Sequence, residues 1–261
     1  MFELNPGRIP FSKADRFEEV ETDPVQEVPS VMFLPELWSL AQDVRHYLDY
    51  MASLGVDWTP RPAPPADNLA ALLAPETLDD IRADLGDCRR CGLSEGRTRI
   101  VFGEGPADAP LMFVGDGPGM EEDREGRPFL GEAGQLLTNI IVNGMKRKRE
   151  DCYLTTLVKC RLPENRDPQA EESGACLPFL LRQIEVVKPK VIVALGRTTA
   201  AVLLGSNAPM AALRGRVHDL KGISVIPTYH PRTLVNNKDL KRPTWEDIQR
   251  AMAILDSTPR N

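Results

Sequence analysis

A glycine-rich segment constrains the fold of this chain more than any other part of it. Residues 115–134 have the sequence GDGPGMEEDREGRPFLGEAG, with six glycines and six acidic side chains. The segment follows a short apolar run at 111–114, which is typical of a buried parallel strand, and it precedes a stretch with helical spacing. In open α/β sheets, ligands bind at such a turn, at the carboxyl end of a strand. The segment therefore predicts an α/β fold with a binding site at this turn.

The same alternation of strand, loop and helix continues along the chain. The predicted strands are 111–115, 153–158, 191–195 and 223–227, and the predicted helices between them are 133–144, 169–187 and 197–204. This order implies a parallel sheet with helices on both faces. Earlier helices are predicted at 35–55, where a proline and a glycine suit the two ends, and at about 76–86.

The first 80 residues differ from the rest in composition. They hold 15 acidic and 5 basic side chains, whereas residues 81–261 hold 23 acidic and 27 basic ones. Within them, residues 57–67 contain four prolines, which is typical of a semi-rigid linker. We predict an acidic extension and linker over 1–80 and a globular domain over 81–261. The mildly basic charge of that domain is compatible with DNA binding and equally common in other enzymes.

Nothing in the sequence predicts a membrane or secreted protein. No apolar run approaches the ~18 residues of a membrane-spanning helix. The first fifteen residues lack the basic-then-apolar pattern of a secretory signal. We therefore expect a cytoplasmic protein without a membrane partner, and we expect a monomer.

Four of the five cysteines have spacing that is typical of a metal site. Cys88 and Cys91 form a C-x2-C pair, and Cys160 and Cys176 lie further along the chain. In a cytoplasmic protein such spacing favours a metal over disulfides. Four thiolates satisfy either zinc or a [4Fe–4S] cluster, and the spacing does not choose between them. Alternatively, only the C-x2-C pair has a role and the others are small core residues, as we expect for Cys152.

Several motifs occur here in one order and together resemble the family 4 uracil-DNA glycosylases, the iron–sulfur branch of that superfamily. They are Cys88-x2-Cys91, VFGEG at 101–105, GDGPG at 115–119, EGRPFLGEAGQLL at 125–137, KCRLPENR at 159–166, Cys176 and HPRTLV at 230–235. The resemblance spans about residues 85–255. It implies an α/β/α sandwich around a four-stranded parallel sheet, with a [4Fe–4S] cluster on the four cysteines. It also implies a monofunctional enzyme that excises uracil, or a related deaminated base, from single- or double-stranded DNA.

The resemblance assigns catalytic roles to three side chains. Breaking an N-glycosidic bond gives the sugar positive character and the leaving base negative charge, so the enzyme needs a hydrogen-bond donor at the base and an anion or activated water near the sugar. His230 matches the histidine that donates to the uracil oxygen. Asp116 and Glu122 match acids near the active-site water. The family usually carries glutamate at the position of Asp116, so this carboxylate is one methylene shorter.

Three further residues are assigned to the base. Phe129 matches the aromatic ring that stacks on it. Gly117 lets the backbone approach it, because glycine has no Cβ. Thr156 stands where the family carries an asparagine, and its single hydroxyl cannot reproduce the two contacts of an amide with the uracil edge. Weaker or altered base discrimination is therefore expected.

Contacts with the DNA duplex are predicted for five residues. Lys159, Arg161, Arg214 and Arg232 are candidates for phosphate contacts, which would make binding depend on salt. Leu234 is a candidate wedge where the base leaves the stack. The basic run at 146–149 is interpreted as a solvated helix end.

Two other functions compete with base excision. The replacements at Asp116 and Thr156 fit a DNA-binding or accessory protein that kept the fold and lost most of its catalysis. Residues 1–80 would then recruit a protein partner. Covalent trapping of the sugar ranks low, because the KCRLPENRDP loop contains no histidine.

Overall fold

The computed structural model describes residues 75–257. The chain divides into two units, Met1–Leu72 and Leu73–Asn261, and the described residues belong to the second. Helix α1, Leu78–Leu85, crosses the predicted domain boundary at residue 80 and lies within the second unit. The helix predicted at 35–55 and the proline-rich linker lie outside the described residues.

A five-stranded sheet forms the centre of the described unit. Its strands are β1 (Leu111–Gly115), β2 (Tyr153–Thr156), β3 (Val191–Leu195), β4 (His218–Leu220) and β5 (Ile223–Thr228). The order is β2-β1-β3-β5-β4, with parallel pairing except between β4 and β5. The four predicted parallel strands are confirmed, and the prediction of only four strands is wrong. Strand β4 escaped prediction because it is short, partly exposed and lies at the edge, without an apolar run.

Helices follow the strands as the sequence predicts. They are α1, α2 (Met120–Glu125), α3 (Gly131–Asn139), α4 (Ala170–Val187), α5 (Arg197–Leu204), α6 (Met210–Leu213), α7 (Pro231–Asn236) and α8 (Lys241–Ser257). A π-helical turn, Ile140–Gly144, continues α3. Thr77 begins α1 with a capping box, since its hydroxyl accepts from Asp80 N while the Asp80 carboxylate accepts from Thr77 N. Within residues 75–257, every helix is too short or too polar to span a bilayer.

The core lies on both faces of the sheet. Along β1, Met112 and Val114 join one buried cluster, and Leu111 and Phe113 join the other, because successive strand residues point to opposite faces. Helix α4 packs into the first cluster and helices α3 and α8 into the second. Burial on both faces explains why the strands are continuous apolar runs. The predicted three-layer α/β/α architecture is confirmed.

Parallel pairing brings the ends of four strands to one edge. The register aligns Gly115 with Thr156, and Leu195 with Thr228. The loops that follow these strands therefore meet at the carboxyl edge of the sheet. Asp116 and His230 both lie in these loops.

Candidate active site

Asp116 directly follows β1 and is held by one of its two carboxylate oxygens. Its Oδ1 accepts from the backbone N–H of Thr199 at 3.0 Å and from the Thr199 hydroxyl at 2.7 Å. Oδ2 accepts no hydrogen bond from any residue that the structure describes, and this oxygen is not fully buried. A water molecule can therefore reach Oδ2 while Oδ1 is fixed.

The surroundings of Asp116 raise its pKa. Burial has the largest effect and raises the pKa above its ordinary value. The two hydrogen bonds from Thr199 act in the opposite direction, and of the nearby charges Asp167 raises the pKa and Arg232 lowers it. The carboxylate thus binds a proton more readily than a free aspartate does, which suits a group that receives a proton from water.

His230 begins helix α7 and presents a neutral ring. Its Nδ1 accepts the backbone N–H of Arg232 at 3.1 Å, and Pro231 occupies the first helical position, which suits a helix start. Burial lowers the pKa of His230 to about 3, and the charge of Arg232 acts in the same direction. Because Nδ1 is an acceptor, the proton of the neutral ring is assigned to Nε2. No described residue hydrogen-bonds to Nε2, so His230 offers a neutral N–H donor.

Phe129 and His230 meet over a glycine. Their ring centroids are 6.4 Å apart and the planes are tilted by 31°. A Cβ on Gly115 would lie 2.9 Å from Phe129 Cζ and 3.2 Å from His230 Nε2. Only glycine leaves room here for both rings. Gly115 was not among the predicted site residues, although its place at the end of the predicted strand 111–115 could have indicated it.

The Glu122 carboxylate links two parts of the glycine-rich segment through hydrogen bonds. One carboxylate oxygen accepts the backbone N–H of Gly119 at 3.0 Å, and the other accepts that of Leu130 at 2.8 Å. The first contact closes a capping arrangement at the start of α2. The structure gives Glu122 a structural role, and its part in catalysis stays a prediction.

Arg149 holds the backbone beneath the Phe129 ring. Phe129 has a φ of 54°, a left-handed conformation that costs a non-glycine residue about 1–3 kcal/mol. The Arg149 guanidinium donates to the carbonyl oxygens of Pro128 at 2.8 Å and Phe129 at 3.2 Å, and to Glu104 at 2.9 Å. Its side chain is only 17% exposed, so the interpretation of the basic run as solvated is wrong for Arg149.

Gly117 and Thr156 both make contacts within the protein. A Cβ on Gly117 would lie 2.6 Å from side-chain atoms of Val158 and Leu162, so packing already requires the glycine. Its contact with a base stays a prediction. The Thr156 hydroxyl is buried and donates to Val158 O at 2.8 Å. Thr155 donates instead to Phe102 O, so the two adjacent threonines point to opposite faces of the sheet.

Two of the predicted DNA contacts are wrong because the side chains are buried. Lys159 is fully buried and donates to Thr155 Oγ1 at 2.7 Å, Thr156 O at 2.6 Å and Gln183 Oε1 at 2.7 Å. Burial lowers its pKa to about 7. Leu234 is 1% exposed and cannot enter a duplex from this position. Lys159 instead ties β2 to α4.

The three arginines differ in how free they are to bind phosphate. Arg214 donates to Asp247 at 3.0 Å and to Pro243 O at 2.5 Å, and its side chain is 17% exposed. These contacts give it a structural role, and its phosphate contact stays a prediction. Arg161 and Arg232 are partly exposed, and their phosphate contacts stay predictions. Arg232 donates to Asn165 O at 3.2 Å.

The four cysteines predicted as ligands come together around two arginines. Arg97 donates to Cys88 O at 2.6 Å and to Cys160 Sγ at 3.4 Å, and Arg90 lies 3.6 Å from Cys88 Sγ. Burial raises the pKa of Cys160 to about 11, and the neighbouring thiols of Cys176 and Cys91 add to that rise. All four sulfur atoms therefore belong to one region.

The chemistry of this region fits an anionic metal centre. The Arg97 side chain is 6% exposed, and a buried guanidinium is stable next to groups that carry negative charge. Ser173 lies one helical turn before Cys176, and its buried hydroxyl has no partner among the described residues. Among residues 75–257, no three histidine, cysteine or acidic side chains are placed to hold a single metal ion.

Cys152 is separate from these cysteines. It packs in the cluster on the opposite face of the sheet. Burial raises its pKa to about 11, so the thiol stays protonated at neutral pH. This environment fits the prediction of an inert core residue.

The fold and the site agree with comparisons to known proteins. A sequence model of the "Uracil DNA glycosylase superfamily" matches residues 102–249, which is more than half of the chain. The matched range includes Gly115, Asp116, Phe129 and His230. The class defined by the fold and the site is therefore this superfamily.

Individual relatives narrow the class. A type-4 uracil-DNA glycosylase of Thermotoga maritima is 44% identical over 184 residues, which is 69% of this chain and 95% of the relative. One of Sulfurisphaera tokodaii is 40% identical over 183 residues, with 67% and 83% covered. A type-5 uracil-DNA glycosylase of Pyrobaculum aerophilum is 35% identical over 166 residues, with 57% and 73% covered. The chain belongs to the type-4 uracil-DNA glycosylase family.

Proposed function

We propose that this protein removes uracil, or a related deaminated base, from DNA by hydrolysing the N-glycosidic bond and leaving an abasic site. One observation carries the proposal: the carboxyl edge of the sheet presents an open carboxylate oxygen on Asp116 and a free neutral N–H on His230. The relatives named as type-4 uracil-DNA glycosylases support it.

Each group has a role that follows from its surroundings. His230 Nε2–H donates to the base oxygen that becomes negative as the bond breaks. Because the pKa of the His230 imidazolium is lowered to about 3, the ring is neutral across the physiological range and keeps a single N–H. Asp116 Oδ2 receives a proton from the attacking water or stabilises the cationic sugar. The Phe129 ring stacks on the base after it has left the duplex.

We assign DNA binding outside the base site to two partly exposed cations. Arg232 lies close enough to Asp116 to affect its pKa, and Arg161 follows Cys160 on the neighbouring loop. Contacts of both with phosphates would make the affinity fall as salt increases. Thr156 cannot replace an amide, so we propose a broader or weaker base preference.

We propose that Cys88, Cys91, Cys160 and Cys176 hold a [4Fe–4S] cluster with a structural role. Four cysteine thiolates are the usual ligands of such a cluster. These residues would join the segment after α1, the loop after β2 and helix α4. Brown purified protein with broad visible absorbance would support the cluster, whereas a colourless protein containing zinc would contradict it.

We also propose that the chain consists of an acidic extension, predicted over 1–80, and a catalytic domain, predicted over 81–261. Because α1 spans residue 80, the boundary is placed before this helix. The excess of acidic residues in the extension would repel DNA phosphates. A protein partner therefore suits this extension better than DNA does. Pull-down with residues 1–80 fused to a carrier tests this proposal, and the absence of any captured repair protein would contradict it.

The function is tested with a panel of oligonucleotides. Uracil opposite guanine, opposite adenine and in single strands is compared with hypoxanthine and xanthine, and free base is measured. Release of uracil or another deaminated base by cluster-loaded protein is expected. Release of no base from any substrate would refute excision.

One observation favours the second candidate function, an accessory DNA-binding protein. The Thr156 hydroxyl is occupied by Val158 O and gives a base little to bind. Tight binding of uracil-containing DNA without turnover would favour this function.

A further inference from the structure

The carboxylate of Asp116 is fastened to a helix that lies far along the chain. Helix α5 begins after Gly196, so Thr199 occupies its third position, where the backbone N–H has no partner within the helix. Asp116 Oδ1 accepts that N–H at 3.0 Å. Asp116 thus supplies the cap that a side chain at the start of α5 normally provides.

Gly196 makes room for this arrangement. Its φ is 106°, a conformation that favours glycine, and a Cβ there would lie 2.4 Å from Asp116 Oδ2. The space that a capping side chain would occupy is taken by the Asp116 carboxylate. The start of α5 and the residue after β1 are therefore complementary in shape.

Two adjacent threonines in the first turn of α5 differ in their contacts. The Thr199 hydroxyl donates to Asp116 Oδ1 at 2.7 Å. The buried Thr198 hydroxyl has no partner among the described residues. Only Thr199 adds a side-chain hydrogen bond to the carboxylate.

We propose that Thr199 is a positioning residue for base excision, because it fixes Oδ1 of Asp116 and thereby leaves Oδ2 as the oxygen that faces water. This inference rests on the proposed function. It also explains how a carboxylate shorter by one methylene than the usual glutamate is held in a defined position at this site.

The charged groups around Asp116 come from three elements. Asp167 lies before α4, Arg232 lies in α7, and Arg197 of α5 pairs with Asp167 at 3.5 Å. Asp167 and the burial of the carboxylate raise the pKa of Asp116, whereas Arg232 and the Thr199 hydrogen bonds lower it. Loss of the Thr199 hydroxyl removes one lowering contact, so the pKa rises further. If ionised Asp116 is the active form, the acid limb of the rate profile then moves to higher pH.

The test compares Thr199→Val, Thr199→Ser and the matched control Thr198→Val. Single-turnover excision rates are measured against pH, together with the affinity for uracil-containing DNA. We expect Thr199→Val to lower the rate by about tenfold or more, the loss expected for a hydrogen bond to a charged group, with the acid limb at higher pH and the affinity unchanged. Thr199→Ser should restore both the rate and the pH profile. Thr198→Val should behave like the wild type.

The proposal is overturned if Thr199→Val keeps the wild-type pH profile, or if Thr198→Val shifts it equally. A lower Tm of Thr199→Val with an unchanged profile would show that the residue only stabilises α5. Carboxyl carbon NMR of Asp116 gives a readout without turnover, with a higher titration midpoint expected in Thr199→Val. If the wild type releases no base but this midpoint moves, the proposed function fails and the contact with Thr199 stands.

Discussion

The carboxyl edge of the sheet, which holds the candidate active site, and the cysteine region differ in how fully their polar side chains are hydrogen-bonded. In the cysteine region, the buried Arg97 donates to a sulfur atom, a carbonyl oxygen and Asp87. At the active-site edge, Asp116 and His230 each have one atom bound to protein and one without a partner among the described residues. Because buried polar groups are normally hydrogen-bonded, we take the free atoms of Asp116 and His230 as catalytic candidates, whereas the fully bonded guanidinium of Arg97 has a structural role.

We expect the largest change in the excision rate when Asp116 is replaced, because its Oδ2 has no partner among the described residues. Asp116→Asn keeps the size of the side chain and removes its charge, so the excision rate should fall by ~10²–10⁴-fold, the usual contribution of a general base. The affinity for uracil-containing DNA should change little. Asp108→Asn is the matched control, because Asp108 is exposed and precedes β1. Equal rates for the two variants would break the comparison.

Replacement of a cysteine that we propose as a cluster ligand should mainly affect structure. Cys176→Ser is expected to remove the brown colour and to lower the Tm by more than about 4 °C, which corresponds to more than ~1 kcal/mol for a protein of this size. Cys152→Ser alters a buried thiol on the other face of the sheet and should keep the colour. Absorbance and thermal unfolding measure both effects. Cys176→Ser protein that keeps its full colour would contradict the ligand assignment.

Arg149 and Arg127 belong to one ion-pair network but differ in their other contacts. Both pair with Glu104, at 2.9 Å and 2.8 Å, but only Arg149 also donates to the carbonyl oxygens of Pro128 and Phe129. Arg149→Ala should therefore release the Phe129 ring and lower excision by about tenfold or more, since small misplacements in a site are costly. Arg127→Ala should have little effect. Excision assays with 2-aminopurine beside the uracil would separate base flipping from bond cleavage. Similar losses in both variants would contradict the role of Arg149 in holding Phe129.

The smallest expected effect is that of His230 on how the stability of the protein depends on pH. The pKa of His230 is about 3 in the folded protein and about 6.5 in the unfolded chain, so the unfolded state binds more protons between these values. The contribution of His230 to stability is complete above about pH 6.5 and declines as the pH falls towards 3. His230→Gln should weaken that decline in urea unfolding. NMR detection of a His230 ring that titrates near pH 6.5 in the folded protein would be the contrary result.

Much of the fold follows from local patterns. The runs at 111–115 and 191–195 form strands with the predicted bounds, because residues buried on both faces leave an unbroken apolar signal. Strand β4 gives no such signal, since it lies at the edge and gains its structure from pairing with β5. Local sequence cannot show a strand that depends on its neighbour.

Only part of the candidate site could be predicted from the sequence, because some of its contacts also depend on residues far apart in the chain. Motifs identified Asp116, Phe129 and His230, but the contact of Asp116 with Thr199 joins segments 83 residues apart. Burial also depends on tertiary packing, which is why Lys159 and Leu234 were wrongly predicted to touch DNA.

We propose that Asp116 and His230 act together at one edge of the sheet to break an N-glycosidic bond. Chromatographic detection of free uracil from a uracil-containing oligonucleotide tests it most directly, with thymine in the same position as the control. We expect the cluster-loaded wild type to release uracil and no thymine. We expect Asp116→Asn and His230→Ala to bind the same DNA but to release uracil at least ~10²-fold more slowly. Release at the wild-type rate by either variant would contradict it.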